Sequence, residues 1–311
     1  MRTPEQNDLA TAVRGLLAKR ADSEAVRASM ASDDGFDREL WSTLCEQIGV
    51  AGLSVADTAP VLEELGYSLA PTPLLGSLIA SEALRGTVPH SQGERAVPPA
   101  SDLLERIEAG EVAAFIDDGP TLHGSEATIL LTVTEAGLVQ VESADVHGQP
   151  ALDPTLRFAT IDLTNAPTRL VSDDGEAAAA RARDALLVGI SALAVGTAQR
   201  GLDMTVAYSK ERVQFGRLIG SFQALKHRMS DMLVLVEMTR SAAWAAAAGE
   251  LDPTTAAAYC LDALQKVAAE TIQLHGGIAI TWEHDAHLVF KRSHALTQVA
   301  GQPHRLRAGI L

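Results

Sequence analysis

Residues 209–232, SKERVQFGRLIGSFQALKHRMSDM, join two long apolar segments that are both typical of helices. Arg212, Gln214, Phe215 and Gly216 stand close together where the first of these segments ends. A guanidinium binds a pyrophosphate through paired, charge-assisted hydrogen bonds, and a neighbouring amide adds a neutral donor. Phe215 can lie against a ribose or a flat ring, and Gly216 permits a sharp turn. A helix–helix turn with an exposed arginine is the alternative interpretation of these residues.

A second group of polar and flexible residues lies in QLHGGIAITWEH, residues 273–284. Gly276 and Gly277 follow a helical pattern and would let a ligand ring or another backbone approach closely. Gln273 stands one turn earlier, where its amide can reach the edge of an adenine. An ordinary glycine cap at the end of a helix is the alternative.

The rest of the pattern predicts a mainly helical chain with a small β region. Helical spacing of apolar residues marks segments 4–20, 36–48, 59–69 and 72–84, and a weak helix ending at Gly110. Segments rich in β-formers, separated by turn residues, predict strands at 112–116, 127–133, 138–143 and 158–163. Four long helices follow at 176–212, 221–249, 253–275 and 282–297, and their short connections indicate an antiparallel four-helix bundle.

These elements predict three domains, with one proline-containing loop in the first. The domains are an N-terminal helical domain at 1–110, a reduced β domain at 111–175 and a C-terminal four-helix domain at 176–311. A proline-containing loop is predicted around Pro98 and Pro99.

Composition and charge narrow the function classes. The net charge of −15 argues against nucleic acid as a partner. Residues 1–199 carry a net −17 and residues 200–311 a net +2, so an anionic small molecule is expected at the C-terminal part. An acidic soluble surface without functional meaning is the alternative interpretation of this charge distribution. The apolar run at 185–198 is too short for a membrane span and the N-terminus has no apolar signal core, so we expect a cytoplasmic protein. Cys45 and Cys260 stand in no metal-binding spacing and predict reduced, buried thiols.

The two polar motifs, in this order and separated by two helical segments, resemble the acyl-CoA dehydrogenase family. The similarity is carried by YSKERVQFGRLIGSFQALKHRMSDM and QLHGGIAITWEHDAHLVFKR, and nearer the N-terminus by FDRELWSTLCEQIGVAGL and VLEELGYSLAPTPLLGS. It covers most of residues 36–90 and nearly all of residues 176–298. The resemblance implies a helical domain, a β domain and a four-helix domain, with FAD as the cofactor.

The resemblance also implies where the cofactor would lie. In such proteins the adenosine and pyrophosphate of FAD are held by the neighbouring subunit. By that similarity the first motif would contact the pyrophosphate side and the second motif the adenosine side. The implied cofactor-binding residues are Arg212, Gln214, Phe215, Gln273, Gly276 and Gly277.

Three departures from the family pattern bear on activity. Removing the α-proton of an acyl thioester needs a carboxylate base while the flavin takes hydride from the β-carbon. The two places where the family carries that glutamate fall near Gly301 and Leu186, and neither is acidic. The Thr-Glu-Pro…Gly-Ser-Asp-like loop that lies along the flavin ring is missing from residues 110–173. The first domain is also shortened between residues 53 and 60.

Three hypotheses are consistent with these departures. In the first, the chain is the shortened, non-catalytic subunit of an α2β2 acyl-CoA dehydrogenase of actinobacterial steroid degradation. A full-length acyl-CoA dehydrogenase subunit then supplies the base, the substrate is a bulky acyl-CoA, for instance a steroid-derived one, and an electron-transferring flavoprotein is the acceptor. In the second, the chain is a self-sufficient homo-oligomer whose base is Asp184 or Glu283. In the third it is a scaffold without flavin, against which the retained Arg212, Gln214 and Phe215 argue.

Overall fold

The helical patterns of the sequence correspond to helices in the computed structural model, which describes residues 2–87 and 100–310. The predicted loop around Pro98 and Pro99 lies outside the described residues. The α-helices are α1 (Pro4–Arg20), α2 (Ser23–Ala31), α3 (Arg38–Thr43), α4 (Val55–Ser68), α5 (Leu74–Leu84), α6 (Ala100–Glu108), α7 (Gly175–Glu211), α8 (Gln223–Ala247), α9 (Pro253–His275), α10 (Ala286–Ala300) and α11 (Pro303–Ala308). The fold is mainly α with a small β region, which confirms the predicted fold class.

The predicted helices differ from the observed ones mainly at their ends. The segment predicted at 36–48 starts its helix at Arg38, because the Asp37 carboxylate accepts from two backbone N–H groups of the first turn. It ends in a π-helical turn, Leu44–Ile48. α10 begins four residues later than predicted, because a 3₁₀ turn, Gly276–Ile280, and an irregular connection precede it. The pattern predicted neither α2 nor α11.

The β region contains more strands than the sequence pattern indicated. The strands are β1 (Ala113–Ile116), β2 (Thr121–Leu122), β3 (Ile129–Thr134), β4 (Gly137–Val141), β5 (Asp145–Gln149), β6 (Phe158–Asp162), β7 (Thr168–Ser172), β8 (Val213–Gln214) and β9 (Arg217–Leu218). One sheet has the order β1-β3-β4-β7 and another β2-β6-β5, while β8 and β9 pair with each other. β1 and β3 are parallel, and the other pairs are antiparallel. β5 escaped prediction because its polar, mostly exposed residues show no apolar alternation.

Contacts within the chain divide it into two units. The helical unit contains Met1–Val26, Ala59–Ala70 and Ile190–Leu311, and the sheet unit contains Arg27–Thr58 and Pro71–Gly189. The division into three domains at 1–110, 111–175 and 176–311 stays a prediction.

Within the sheet unit, α5 packs closely on the start of the β region. A Cβ atom at Gly76 would lie 3.2 Å from the carbonyl oxygen of Leu122 and 3.3 Å from that of Ala113. The Ala113 backbone N–H donates to Ser77 Oγ at 3.2 Å, which ties β1 to the same helix. A larger residue at position 76 would push the helix away from the strands.

Within the helical unit, two glycines allow α4 and α7 to touch through their backbones. A Cβ at Gly196 would lie 1.8 Å from the carbonyl oxygen of Glu63, and one at Gly66 would lie 2.4 Å from that of Leu193. Thr197 Oγ1 donates to the Gly66 carbonyl at 3.3 Å across this crossing. α9 packs against α8, α10 and α11 through a face made largely of alanine, leucine and valine.

α7 is the one helix of the described residues that is long and apolar enough to cross a membrane by length and composition. Its most apolar window is 83% buried in the protein, as is usual for a core helix. The prediction of buried thiols is confirmed, since Cys45 and Cys260 are both free and buried. Burial raises the pKa of each thiol to about 12.

Candidate functional site

The first motif forms a tight hairpin directly after α7. β8 and β9 pair through Gln214 and Arg217, which leaves Phe215 and Gly216 as the two turn residues. Their φ angles are +53° and +76°, the pattern of a type I′ turn. Glycine adopts this region freely, but a residue with a side chain pays about 1–2 kcal/mol. The hairpin therefore holds Phe215 in a strained backbone conformation of the kind that clusters at functional sites.

The side chains of this hairpin face solvent. Phe215 is 92% exposed, although its ring lies 6.2 Å from that of Phe222. Arg212 is also exposed, and among the described residues no carboxylate pairs with its guanidinium. Arg217 differs, because its guanidinium lies over the Phe222 ring at 4.0 Å. Arg212 thus keeps its donors available to a ligand, whereas Arg217 is engaged within the chain.

The second motif forms the end of α9 and the turn that follows. Gly276 has a φ of +67° and terminates the helix. A Cβ atom placed on Gly276 or Gly277 would meet nothing within 4 Å, so open space lies beside this backbone in the isolated chain. Gln273 is exposed one turn earlier, and the large apolar side chains of Ile280 and Trp282 are exposed just beyond.

The structure brings these two motifs to the same end of the helical unit. A Cβ atom at Gly201 of α7 would lie 2.8 Å from Thr271 Oγ1 of α9. Further along both helices, the rings of Tyr208 and His275 stack with centroids 4.7 Å apart and planes 26° apart. α7 and α9 therefore run in the same direction and end side by side. Arg212 follows Tyr208 by one turn, with its N–H donating to the Tyr208 carbonyl at 2.9 Å.

The environment of His275, at this junction, favours the neutral form of the ring. The ring is only 4% exposed, and its Nδ1 lies 2.7 Å from the carbonyl oxygen of Thr271. A carbonyl can only accept, so this bond assigns the proton to Nδ1. Burial lowers the pKa of His275, against the raising effect of the Thr271 backbone, and His284 lowers it further. The His284 ring lies 4.6 Å away at an interplanar angle of 54°.

Sequence reasoning assigned no function to these three rings, although all three stand within the stretches that carry the resemblance. The signals for them were local: Tyr208 stands one helical turn before Arg212, and His275 directly precedes Gly276. What the pattern could not show was that the two residues lie against each other.

The two acidic residues considered as bases lie in different parts of the chain. Asp184 is exposed on α7 in the part that belongs to the sheet unit. Glu283 is exposed in the connection before α10, in the helical unit. Of the two places where the family pattern carries a glutamate, Leu186 lies within α7 and Gly301 directly follows α10.

The residues of the two motifs fit the FAD that the resemblance implies. A guanidinium without an ion pair suits a diphosphate. The exposed amides of Gln214 and Gln273 offer donors and acceptors, and the glycine pair leaves room for a ring to approach.

Comparisons with known proteins identify the sequences and structures to which this chain is similar. Residues 178–310 match the family described as acyl-CoA dehydrogenase, C-terminal domain. The chain is 42% identical to acyl-CoA dehydrogenase IpdE2 of Mycolicibacterium smegmatis, over 96% of this chain and 95% of the relative. Among solved structures it is similar to a variant of the Tcur3481–Tcur3483 steroid ACAD, with a TM-score of 0.85, 22% identity, and coverage of 98% and 96% of the two chains. It is also similar to the ChsE4–ChsE5 complex from Mycobacterium tuberculosis, with a TM-score of 0.82, 21% identity, and coverage of 100% and 97%.

These similarities carry different weight. The structural neighbours are distant in sequence and establish the fold alone. The similarity to IpdE2 extends over nearly the whole of both chains, and its identity is high enough to establish common descent. The chain therefore belongs to the acyl-CoA dehydrogenase family.

Proposed function

We propose that this chain is the non-catalytic subunit of an FAD-dependent acyl-CoA dehydrogenase and contributes half of a cofactor site that a full-length partner subunit completes. Arg212, Gln214 and Phe215 would hold the pyrophosphate side of FAD. Gln273, Gly276 and Gly277 would hold the adenosine side. The assembly is α2β2, located in the cytoplasm.

The observation that carries this proposal is the state of Phe215. In the isolated chain this phenyl ring, at the tip of a hairpin, is 92% exposed to water, which is unfavourable for an apolar side chain. Its backbone φ of +53° is unfavourable as well. Burying such a ring stabilises an assembly by about 1.5–3 kcal/mol. Arg212, three residues earlier, has no ion pair with any residue that the structure describes, and a guanidinium that is to bind a diphosphate needs its donors available.

The assignment of substrate and partner rests on the relatives. One similar structure is a complex, ChsE4–ChsE5, and the other is a steroid ACAD. A heteromeric assembly acting on a bulky acyl-CoA, for instance a steroid-derived one, follows by analogy. The expected electron acceptor is an electron-transferring flavoprotein.

Chemistry divides between the two subunits under this proposal. Desaturation of an acyl-CoA removes a proton from the α-carbon and a hydride from the β-carbon. Bound FAD supplies the hydride acceptor. This chain orients the cofactor through charge-assisted and amide hydrogen bonds and excludes water with Phe215, and the partner supplies the carboxylate that takes the proton. Leu186 and Gly301 in this chain offer no such group.

The first test is the visible absorption spectrum of the chain, purified alone and after co-expression with a full-length acyl-CoA dehydrogenase subunit. We expect no flavin band alone, and about one FAD for each pair of unlike subunits in the complex. A flavin band at one FAD per chain alone would overturn the proposal in favour of a self-sufficient homo-oligomer. Asp184→Asn and Glu283→Gln would then identify its base by loss of turnover.

The second test addresses the site residues in the complex. Arg212→Ala removes charged hydrogen bonds worth about 1.5–3 kcal/mol, so FAD affinity should fall by about 10- to 150-fold. Arg217→Ala is the matched control, because it removes the same charge from the same hairpin but from a guanidinium that lies over Phe222. Equal FAD affinity in wild type and Arg212→Ala would refute the site and favour the scaffold hypothesis.

A further inference from the structure

Three rings to which the sequence pattern assigned no function connect the two halves of the candidate site. Tyr208 on α7, His275 at the end of α9 and His284 before α10 form what we call the ring cluster. The ring centroids of Tyr208 and His275 lie 4.7 Å apart, and those of His275 and His284 lie 4.6 Å apart. Tyr208 and His284 form a T-shaped pair with centroids 6.2 Å apart and planes at 74°. Each ring thus contacts both others.

Each ring of the cluster is linked to one nearby part of the chain: the hairpin, the glycine turn or the start of α10. The Tyr208 carbonyl accepts from the Arg212 N–H at 2.9 Å, which fixes the start of the hairpin. His275 immediately precedes Gly276 and lies on the same helix as Gln273. His284 Nδ1 accepts from the Ala286 N–H at 3.1 Å, which attaches the cluster to the first turn of α10.

The segments that carry the proposed FAD contacts have little packing of their own near their glycines. A Cβ atom at Gly216, Gly276 or Gly277 would meet nothing within 4 Å. The hairpin strands β8 and β9 are two residues each, and all four residues are exposed. Such short, exposed segments need a buried anchor to keep a defined distance from each other.

His275 has the features of an orienting residue rather than of a simple filler. The hydrogen bond from its Nδ1–H to the Thr271 carbonyl sets the orientation of the ring. The stack with Tyr208 then holds the ring against α7. Its Nε2 is buried without a hydrogen bond of regular geometry among the described residues, although the Met204 backbone lies close enough to raise the pKa of the ring. A phenylalanine would keep the ring contacts but lose the Nδ1–H bond, so substitution can separate the two contributions to the position of the ring.

We infer that Tyr208, His275 and His284 are positioning residues that set the spacing between the Arg212 hairpin and the Gly276–Gly277 turn, and so make one binding site of two separate motifs. The link to FAD in this inference rests on the function proposed above. The mechanical coupling between the two segments does not, because it concerns the chain without cofactor.

Hydrogen exchange of the full chain without flavin tests the coupling directly. In His275→Ala we expect the amides of residues 212–218 to exchange faster by about tenfold, although the substitution lies on another helix. In Tyr208→Ala the same is expected for residues 276–282. A rise confined to the segment next to the substituted residue would overturn the inference, as would a uniform rise that includes α1. If His275→Ala does not fold, Tyr208→Ala decides the question.

Ring-retaining variants separate positioning from simple loss of structure. His275→Phe keeps the stack and should leave exchange in residues 212–218 within about threefold of wild type. FAD titration of the complex, followed by flavin fluorescence, should show affinity weakened about tenfold in His275→Ala and by no more than about threefold in His275→Phe. Equal weakening in both variants would contradict a positioning function of the ring.

The two inferences can fail separately. If Arg212→Ala does not change FAD affinity, the proposed cofactor site is wrong, and the exchange experiment still decides whether the ring cluster couples the two segments. If Arg212→Ala weakens FAD while the ring deletions change neither distant exchange nor affinity, the cofactor site stands and the positioning function is wrong.

Discussion

Replacement of Glu63 by glutamine should destabilise the helical unit strongly, because three donors converge on this one carboxylate. Oε2 accepts from Trp244 Nε1 at 3.0 Å and from Arg2, and Oε1 accepts from Arg240 Nε at 3.2 Å. Most of each of these side chains is buried. Glu63→Gln therefore removes the negative charge that faces the guanidinium groups of Arg2 and Arg240, and both of these groups lie largely away from water.

The size of the effect follows from what the substitution leaves behind. Breaking a buried ion pair costs about 3–5 kcal/mol, since the remaining charge is buried and uncompensated. Glutamine keeps one accepting oxygen and Arg240 keeps its pair with Glu237, so we expect the lower end, about 3 kcal/mol. The measurement is urea unfolding followed by circular dichroism, at one protein concentration for all variants because assembly shifts apparent stability.

Glu64→Gln is the matched control on the neighbouring residue. Glu64 accepts from Arg14 at 2.9 and 2.6 Å, but the Arg14 side chain is 64% exposed and returns to water when the pair is broken. Such a pair contributes about 0–1 kcal/mol. A loss below about 1 kcal/mol in Glu63→Gln, or equal losses in both variants, would refute the argument that the buried partners decide the cost.

Three further outcomes are expected. Gly196→Ala would place Cβ 1.8 Å from a backbone carbonyl oxygen of α4 and should destabilise the folded chain by about 3 kcal/mol or more. At Gly15 the added Cβ would meet nothing within 4 Å, so Gly15→Ala should stabilise the fold by about 0.4–1 kcal/mol. Thermal unfolding of both variants measures this difference. Because burial raises the pKa of Cys45 and Cys260 to about 12, the native chain should react with a disulfide reagent at pH 8 at least about 100-fold more slowly than the urea-unfolded chain, and comparable rates would contradict the burial. Burial lowers the pKa of His275 from 6.5, so on acidification the unfolded chain binds this proton before the folded chain does. The free energy of unfolding should therefore fall as the pH drops through 6.5 and level off below the native pKa. Urea titration between pH 5 and 7 measures this fall, which should be absent in His275→Phe.

The sequence alone determined the features that depend on neighbouring residues. The periodic apolar pattern predicted the long C-terminal helices. Local capping rules predicted both ends of α9, which begins after Asp252 at Pro253 and is terminated by Gly276. The two polar motifs were recognisable because they interrupt that pattern at helix ends. The likeness to the family rested on the same stretches, and the relatives confirm it.

Only the tertiary structure decided the features that depend on contacts between distant residues. The sequence placed Phe215 in a turn, but its positive φ follows from the pairing of Gln214 with Arg217. The strand β5 forms because it pairs with β6, and its own residues show no apolar alternation that would have predicted it. Neither the side-by-side ends of α7 and α9 nor the stack of Tyr208 on His275 can be read from spacing, because the packing that aligns two helices sums contacts between residues far apart in the chain.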